Sequence, residues 1–509
     1  MSNMPADAES YLHVELGVDG PTLKGSLTKR LGQVLLPQSL RTNQDIFGEW
    51  HWDGNQVTVR NCKFGFFPLF YYAAENRFGV APSVERLLEC GAPTDLDDAA
   101  LSTFLRLGFV VGEETVFRHI RMVPPGGEVR WSGGKPKISG GYIFPRRQNL
   151  SRQAAIDGYG ELFRQAVQRR ASKGVKFGLP LSGGRDSRHI LLELNALGIR
   201  PEVCFTNHDF PPYRTENIRI AGLLASRLNI PHRVLGQSGS EMRAEIRKNR
   251  INSYRAIEDT WAVNLYPEVA RYTPIVYEGT GGDVSAGLYL YRKHVELLEK
   301  DRIEELADQI LTHWLTWKAS EDALARILSK DAARRFSKEI AVEHLAKELN
   351  RHMSAPSPLL SFYFWNRERG VNAPQAFAIA REAGVAAVTP YMDHDVVNFL
   401  ASLPEDMYMD KAFHTETIHR MHPAFREIPF AGADTPLIEK NWHYRRLLLE
   451  IGAYLFLNGK NQLVEKEQTV RRLLALALKT GVNVRQRARW IAPYTVLYLT
   501  QLENLSSRA

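Results

Sequence analysis

The sequence predicts an α/β protein in two parts. Antiparallel strands and hairpins around a helix come first, and a parallel sheet with helices on its faces and a helical C-terminal part follows. Three observations predict this. The first 135 residues are dense in aromatic residues and turn signals, residues 175–235 alternate strand and helix patterns, and the apolar spacing is mostly helical from about residue 255 onward.

The opening region reads as short strands and hairpins. Runs such as Gln56–Arg60 and Glu128–Trp131 alternate apolar and polar residues and are separated by Asp-Gly, Asn-Arg and Gly-Gly. Between them, "TDLDDAALSTFLRLGF" predicts a helix with an acidic first turn and Leu101, Phe104 and Leu105 on one face. A boundary falls at "GGYIFPRRQNLSRQ", giving domains over 1–145 and 150–509. Ser151 is the expected N-cap of a helix carrying Ile156, Tyr159, Leu162, Phe163 and Val167 at helical spacing. Strand 175–181, helix 186–197, strand 201–206, helix 215–228 and strand 232–235 then follow, the alternation of a parallel sheet. The tail from 436 reads as helical and basic.

Composition narrows the function. The 509 residues exceed one ordinary core, and 44% hydrophobic with 24% charged residues is globular. A formal charge of +8 suits an anionic small ligand and falls well short of a nucleic-acid signature. The basic tail, with Arg471, Arg472, Lys479, Arg485, Arg487 and Arg489, reads as a solvated helix face. Cys62, Cys90 and Cys204 form no CxxC pair and no metal spacing, which argues for a reducing compartment and against a disulfide framework or structural zinc. Neither a leader-like start nor 18 consecutive apolar residues is present, so a cytoplasmic, non-membrane protein is expected.

The stretch "GLPLSGGRDSRHILLEL" carries the chemistry. A glycine-rich turn between a parallel strand and a helix aims backbone amides at one point, and the helix dipole favours an anion there. Gly183 and Gly184 permit close approach, while Ser182 and Ser187 offer hydroxyls. Asp186 would repel phosphate unless a cation lay between them, which suggests Mg²⁺. By position alone the same turn also fits a capped strand-to-helix corner. It is neither a Walker A loop nor G-x-G-x-x-G.

Ser182-Gly183-Gly184-Arg185-Asp186-Ser187 resembles the S-G-G-x-D-S pyrophosphate loop of the ATP pyrophosphatase superfamily. "NCKFGFFPLFYYAAENRFGVAPSVERLL", "EGTGGDVSAG" and "VTPYMDHDVVNFLASLPEDM" are similar, in order, to stretches of the asparagine synthetase-like family, which includes β-lactam synthetases and lasso peptide cyclases. The resemblance implies a glutaminase-like sandwich followed by a synthetase domain with an adenine nucleotide α-hydrolase-like core. It implies ATP at Leu181, Ser182, Gly183, Gly184, Asp186, Ser187, Val203, Thr206, Gly279 and Gly281, and Mg²⁺ at Asp186 and Asp283.

Three departures modify the expectation. The chain begins Met-Ser where full asparagine synthetases have Met-Cys, so glutaminase activity is not expected. Thr280 and Val284 replace two acids of the family's Gly-Glu-Gly-x-Asp-Glu loop, and "NAPQAF" lacks the carboxylate of β-lactam synthetases, with Glu368 and Glu382 the nearest acids. Glu416 stands where the family's lysine is expected, with Lys411 five residues earlier, and His414, His419 and His422 cluster nearby. Thr280 and Lys411 are left as the candidate catalytic residues. The expected activity is AMP- and pyrophosphate-forming amide ligation of a small-molecule or peptide carboxylate, using ammonia or a substrate amine. The alternatives are a catalytically impaired nucleotide-binding scaffold and an RNA-modifying ATP pyrophosphatase; a homodimer is left open.

Overall fold

A computed structural model describes residues 10–211, 213–282, 287, 289–313, 319–432, 438 and 440–507. The first part holds ten strands: β1 (Leu12–Gly17), β2 (Gly20–Gly25), β3 (Thr28–Gly32), β4 (Phe47–Trp52), β5 (Val57–Asn61), β6 (Phe70–Ala73), β7 (Arg77–Ala81), β8 (Ile120–Met122), β9 (Glu128–Trp131) and β10 (Lys137–Ser139). They form two five-stranded antiparallel sheets, ordered β2-β1-β7-β6-β8 and β10-β9-β5-β4-β3. The period-2 alternation does its expected work: Val57 and Val59 are buried while Arg60 is exposed, and Trp50 and Trp52 are buried around exposed His51. Phe78 of one sheet stacks on Trp131 of the other, ring centres 5.4 Å apart.

Helix α1 (Val84–Glu89) and helix α2 (Asp98–Leu107) flank the sandwich. Asp97 caps α2 by accepting from the Ala100 amide, and Gly108, at φ 86°, ends it. Ser151 caps α3 (Arg152–Arg170) in the same way, through the Ala154 amide.

The second part is built on β11 (Gly178–Pro180), α4 (Asp186–Ala196), β12 (Val203–His208), α5 (Glu216–Arg227), β13 (His232–Gly236), α6 (Glu241–Ile251), α7 (Ala262–Val269), β14 (Ile275–Tyr277) and β15 (Ala386–Val388). All four strand pairings are parallel and the order is β13-β12-β11-β14-β15. The chain builds outward from β11 to one edge, then returns to place β14 on the other side. A crevice therefore opens at the carboxyl ends of β11 and β14, the place where open α/β sheets bind ligands.

The two parts are joined across the expected boundary. The Arg369 side chain is fully buried and reaches carbonyls of Gly65, Gly112 and Val123, 3.2–3.4 Å away. The C-terminal helices, including Asn441–Asn458 and Pro493–Ser506, dock on the sandwich side. Tyr498 stacks on Phe104 with ring centres 4.3 Å apart, and one apolar cluster joins Phe70, Phe104 and Leu105 to Leu447, Tyr498 and Leu502. Among the described residues, no helix is long and apolar enough to cross a membrane.

Candidate active site

The loop after β11 starts from a pinned strand end. The Leu181 amide donates to the Phe205 carbonyl at 2.6 Å, and the Thr206 hydroxyl donates back to the Leu181 carbonyl at 2.7 Å. Having spent its proton there, that hydroxyl accepts from His232 Nε2, 2.7 Å away. Thr206 thus ties together the end of β11, the middle of β12 and the start of β13. Val203 pairs with Gly178 at the start of β12, so the structure does not bring it to the loop.

Residues 182–187 fold on their own hydroxyls. Ser187 Oγ accepts from the Ser182 amide at 3.0 Å, and Ser182 Oγ accepts from the Gly184 amide at 3.1 Å. Gly183 is required for a close approach: a Cβ there would sit 2.7 Å from Ala431 Cβ, and the Ala431 amide donates to the Gly183 carbonyl. Residues 428–431 are strapped over this side of the loop. Arg188 donates to the carbonyls of Ile428 and Pro429 at 2.8 and 2.6 Å and lies 3.9 Å from the centre of the Phe430 ring.

The loop after β14 meets the first at Asp186. A Cβ on Gly279 would lie 3.0 Å from Asp186 Cβ, and one on Gly282 would lie 2.4 Å from Asp186 Oδ1. No side chain fits between the loops, so glycine at 282 is what lets the second loop reach the carboxylate. Gly281, at φ 99°, turns the chain into that approach. Asp283 lies outside the described residues, directly after Gly282. A hard oxygen donor at Asp186, beside glycine-rich backbone from two loops, is a donor set that fits Mg²⁺.

Among the residues of the Phe413–Met421 helix, His414 comes to Asp186. Its Nδ1 is 3.4 Å from Asp186 Oδ1, and its Nε2 is 3.3 Å from the Tyr391 hydroxyl. Burial, reinforced by the Arg185 charge, pushes His414 down to about 3, so the ring is neutral at physiological pH. Lys411 is held elsewhere: at φ 56° it sets its ammonium 4.4 Å above the Tyr291 ring, where burial lowers its pKa. Glu416 faces α3, bonded to Arg152 at 2.7 Å, and Arg420 pairs with Asp157 at 3.0 Å. That outward orientation keeps the side chain at position 416 out of the crevice.

Thr280 donates to Glu278 Oε2 at 2.9 Å. Glu278, 4% exposed at the end of β14, also accepts from the Tyr266 hydroxyl and from Gln375 Nε2 at 3.2 Å. Sequence reasoning missed this carboxylate. It searched for acids at family positions, whereas the signal was an acid closing a strand just before the glycine loop. Glu382 pairs with Arg247 at 2.8 Å on the surface, and Glu368 accepts from Asn372 at 2.8 Å.

Along the same edge of the sheet, beyond β12 and β13, a cavity of about 280 Å³ is lined by Asp209, Glu241, Glu245, Glu258, Asp259 and Trp261, among others. Three of its acids are compensated: Glu241 by His443, Glu245 by Lys248 and Glu258 by Arg367. Among the described residues Asp209 and Asp259 are not paired with a cation in this way, and burial raises them to about 6 and about 7.

Two family models match the chain. The asparagine synthase model covers residues 158–425 and the glutamine amidotransferase domain model covers residues 42–140. A curated relative, asparagine synthetase [glutamine-hydrolyzing] 2 of Bacillus subtilis (strain 168), is 23% identical over 333 residues, spanning 58% of this chain and 41% of its own length. Among solved structures, the U34-tRNA thiolase NcsA from Methanococcus maripaludis is 12% identical, covering 57% of this chain and 82% of that one at a TM-score of 0.21.

Proposed function

Because the chain belongs to the asparagine synthase family, we propose that it is an ATP-dependent ligase that activates a carboxylate and joins it to a substrate amine, releasing AMP and pyrophosphate. The observation that carries this is the meeting of two glycine-rich loops on the Asp186 carboxylate at the switch point of the sheet. ATP, when bound, would supply the adenylyl group that makes the carboxylate reactive towards an amine. In this reading Ser182, Gly183, Gly184 and Ser187 would hold it, with Asp186 and, from the sequence alone, Asp283 as the Mg²⁺ ligands.

The remaining residues set up the reaction geometry. Gly282 brings the backbone of the second loop against Asp186, so both loops present donors to one anionic group. Glu278 holds Thr280, Tyr266 and Gln375 in one buried network beside the second loop. It supplies a carboxylate in a region where the family's own acids are absent, and it positions Thr280 rather than contacting the reacting atoms.

The cavity supports an organic amine over free ammonia. A cavity for one water, and hence for ammonia, needs about 10–15 Å³ of such space, whereas the acidic cavity offers about 280 Å³. Two acids without paired cations suit a protonated amine, which would be held there before deprotonation. The three cysteines, Cys62 and Cys204 buried and Cys90 half-buried, offer no well-exposed thiol for drawing nitrogen from glutamine.

The test is product analysis with purified protein, Mg-ATP, a panel of amino acids and peptides, and added amines. Amine-dependent AMP and pyrophosphate in equal amounts are expected. Release of ADP alone would overturn ligation by adenylation, and tight Mg-ATP binding without turnover across the panel would favour a nucleotide-binding scaffold.

A further inference from the structure

A second cluster of ionisable side chains lies beneath the first loop, on the buried side of α4. His189 and Glu193 stand one turn apart on that helix, and His422 closes the Phe413–Met421 helix from the other side. The three side chains are 0–8% exposed, and one nitrogen or oxygen from each lies within 4.8 Å of the other two. His422 Nε2 is 2.8 Å from Glu193 Oε1, and His189 Nε2 is 3.8 Å from the same oxygen.

The contacts running inward from Asp186 assign the tautomers. With the Asp186 carboxylate 3.4 Å away, the proton of His414 is favoured on Nδ1, which leaves its Nε2 bare. His189 Nδ1 faces that bare nitrogen at 3.2 Å and must therefore donate to it. The lone pair of His189 then falls on Nε2, which points towards Glu193. Burial and the neighbouring His414 hold His189 in its neutral form.

Two acceptors are thus left over inside the protein. His189 Nε2 and Glu193 Oε2 are both buried and neither makes a hydrogen bond. Arg164 offers Glu193 a charge at 3.5 Å, but that arginine is 40% exposed, is shared with Glu161, and donates no hydrogen bond to His189 Nε2. Opposed lone pairs in a dry interior are unfavourable unless something positive lies between them.

We propose that His189 Nε2, Glu193 and His422 Nε2 form a binding site for a zinc-class divalent ion. Two imidazoles and one carboxylate are a zinc ligand set, with a fourth position left for water. On binding, the His422 proton that now points at Glu193 moves to Nδ1 of the same ring, so the ring stays neutral and its Nε2 becomes a ligand. Magnesium is a poor competitor, since it prefers oxygen donors and keeps its water. No cysteine takes part, so the absence of cysteine pairs in the sequence has no bearing on the site.

The ion would clamp the end of the Phe413–Met421 helix to α4. Because His189 Nδ1 bonds His414, it would also fix the ring that reaches Asp186. The site is independent of whether the chain is a ligase.

The full-length chain, stripped with a chelator, is equilibrated with micromolar free Zn²⁺ in millimolar Mg²⁺, desalted and assayed for metal by mass spectrometry. One retained zinc per chain is expected, and Co²⁺ in its place should give the intense visible bands of a four-coordinate site. Glu193→Gln and His422→Asn, each checked for folding by circular dichroism, should weaken retention ~100-fold or more. Folded wild-type protein that retains no zinc would overturn the proposal, as would equal retention by both variants. Should neither variant fold, the wild-type measurement still decides, because Co²⁺ without four-coordinate bands also counts against it.

Discussion

The two glycine-rich loops of the crevice reach the same carboxylate by different means. Residues 182–187 are held from within, by the hydroxyls of Ser182 and Ser187 accepting from amides a few residues away. Residues 278–282 are held from outside, by Glu278 gripping Tyr266 of α7 and Gln375, and by Gly282 lying flush on Asp186. A loop stabilised by its own side chains carries its identity in a short motif. A loop stabilised by distant partners has a meaning that only the assembled fold discloses.

The comparison predicts unequal responses to the same small change. Gly282→Ala should abolish ligation, with a loss of ~10³-fold or more in kcat/KM at unchanged circular dichroism, because the new methyl would fall on Asp186 Oδ1. Gly184→Ala should cost far less, since its Cβ would meet only the end of a short side chain, Ser182 Oγ at 3.1 Å. Equal losses would erase the distinction between the loops.

Next in size is the network behind the second loop. Glu278→Ala leaves three buried donors without an acceptor and should destabilise the fold by ~2–4 kcal/mol in urea titration. Thr280→Val removes one bond to the carboxylate and should cost ~1–2 kcal/mol. A Thr280→Val enzyme with lost activity and intact stability would instead make Thr280 a group that touches the reacting atoms.

The acidic cavity sharpens the comparison through pH. Asp209 and Asp259 have raised pKa values, so they are protonated below about 6 and about 7 and gain charge only above them. KM for a cationic amine should therefore fall, by ~10-fold, as pH rises from 5.5 to 7.5. Asp259→Asn should flatten most of that slope, and an unchanged slope would place the amine elsewhere.

The smallest effect is expected at Lys411. Its ammonium rests over Tyr291, so Lys411→Met should cost ~0.5–1 kcal/mol of stability and less than a few-fold in kcat. A loss of ~100-fold would restore it as the cation that stabilises the transferring group.

What was legible in the sequence follows the range of the interactions. Three of the five strands of the parallel sheet, β11, β12 and β13, are legible because their alternation with helices is local, whereas the three-residue β14 and β15 fall where the apolar spacing reads as helical. The first loop was read whole for the same reason. Glu278 was passed over, since its three partners come from up to 97 residues away. Lys411 was assigned from sequence distance alone, and its left-handed backbone turns it towards Tyr291 while His414, three residues on, takes the place beside Asp186. The buried trio likewise differs from the histidine cluster read in sequence: His422 joins residues of α4, while His419 stacks near Phe430. The docking of the C-terminal helices on the sandwich left no periodic trace, because an apolar helix face does not name what it covers.

The stacking of Tyr498 on Phe104 sets an order of events for the newborn chain. Translation separates those residues by about three quarters of the chain, on the order of tens of seconds at ribosomal speed. Throughout that interval Phe70, Phe104 and Leu105 lack the greasy cover that the last helices bring. The amino-terminal sandwich should therefore emerge sticky and in want of a chaperone, and its maturation should finish only once the final turns leave the tunnel.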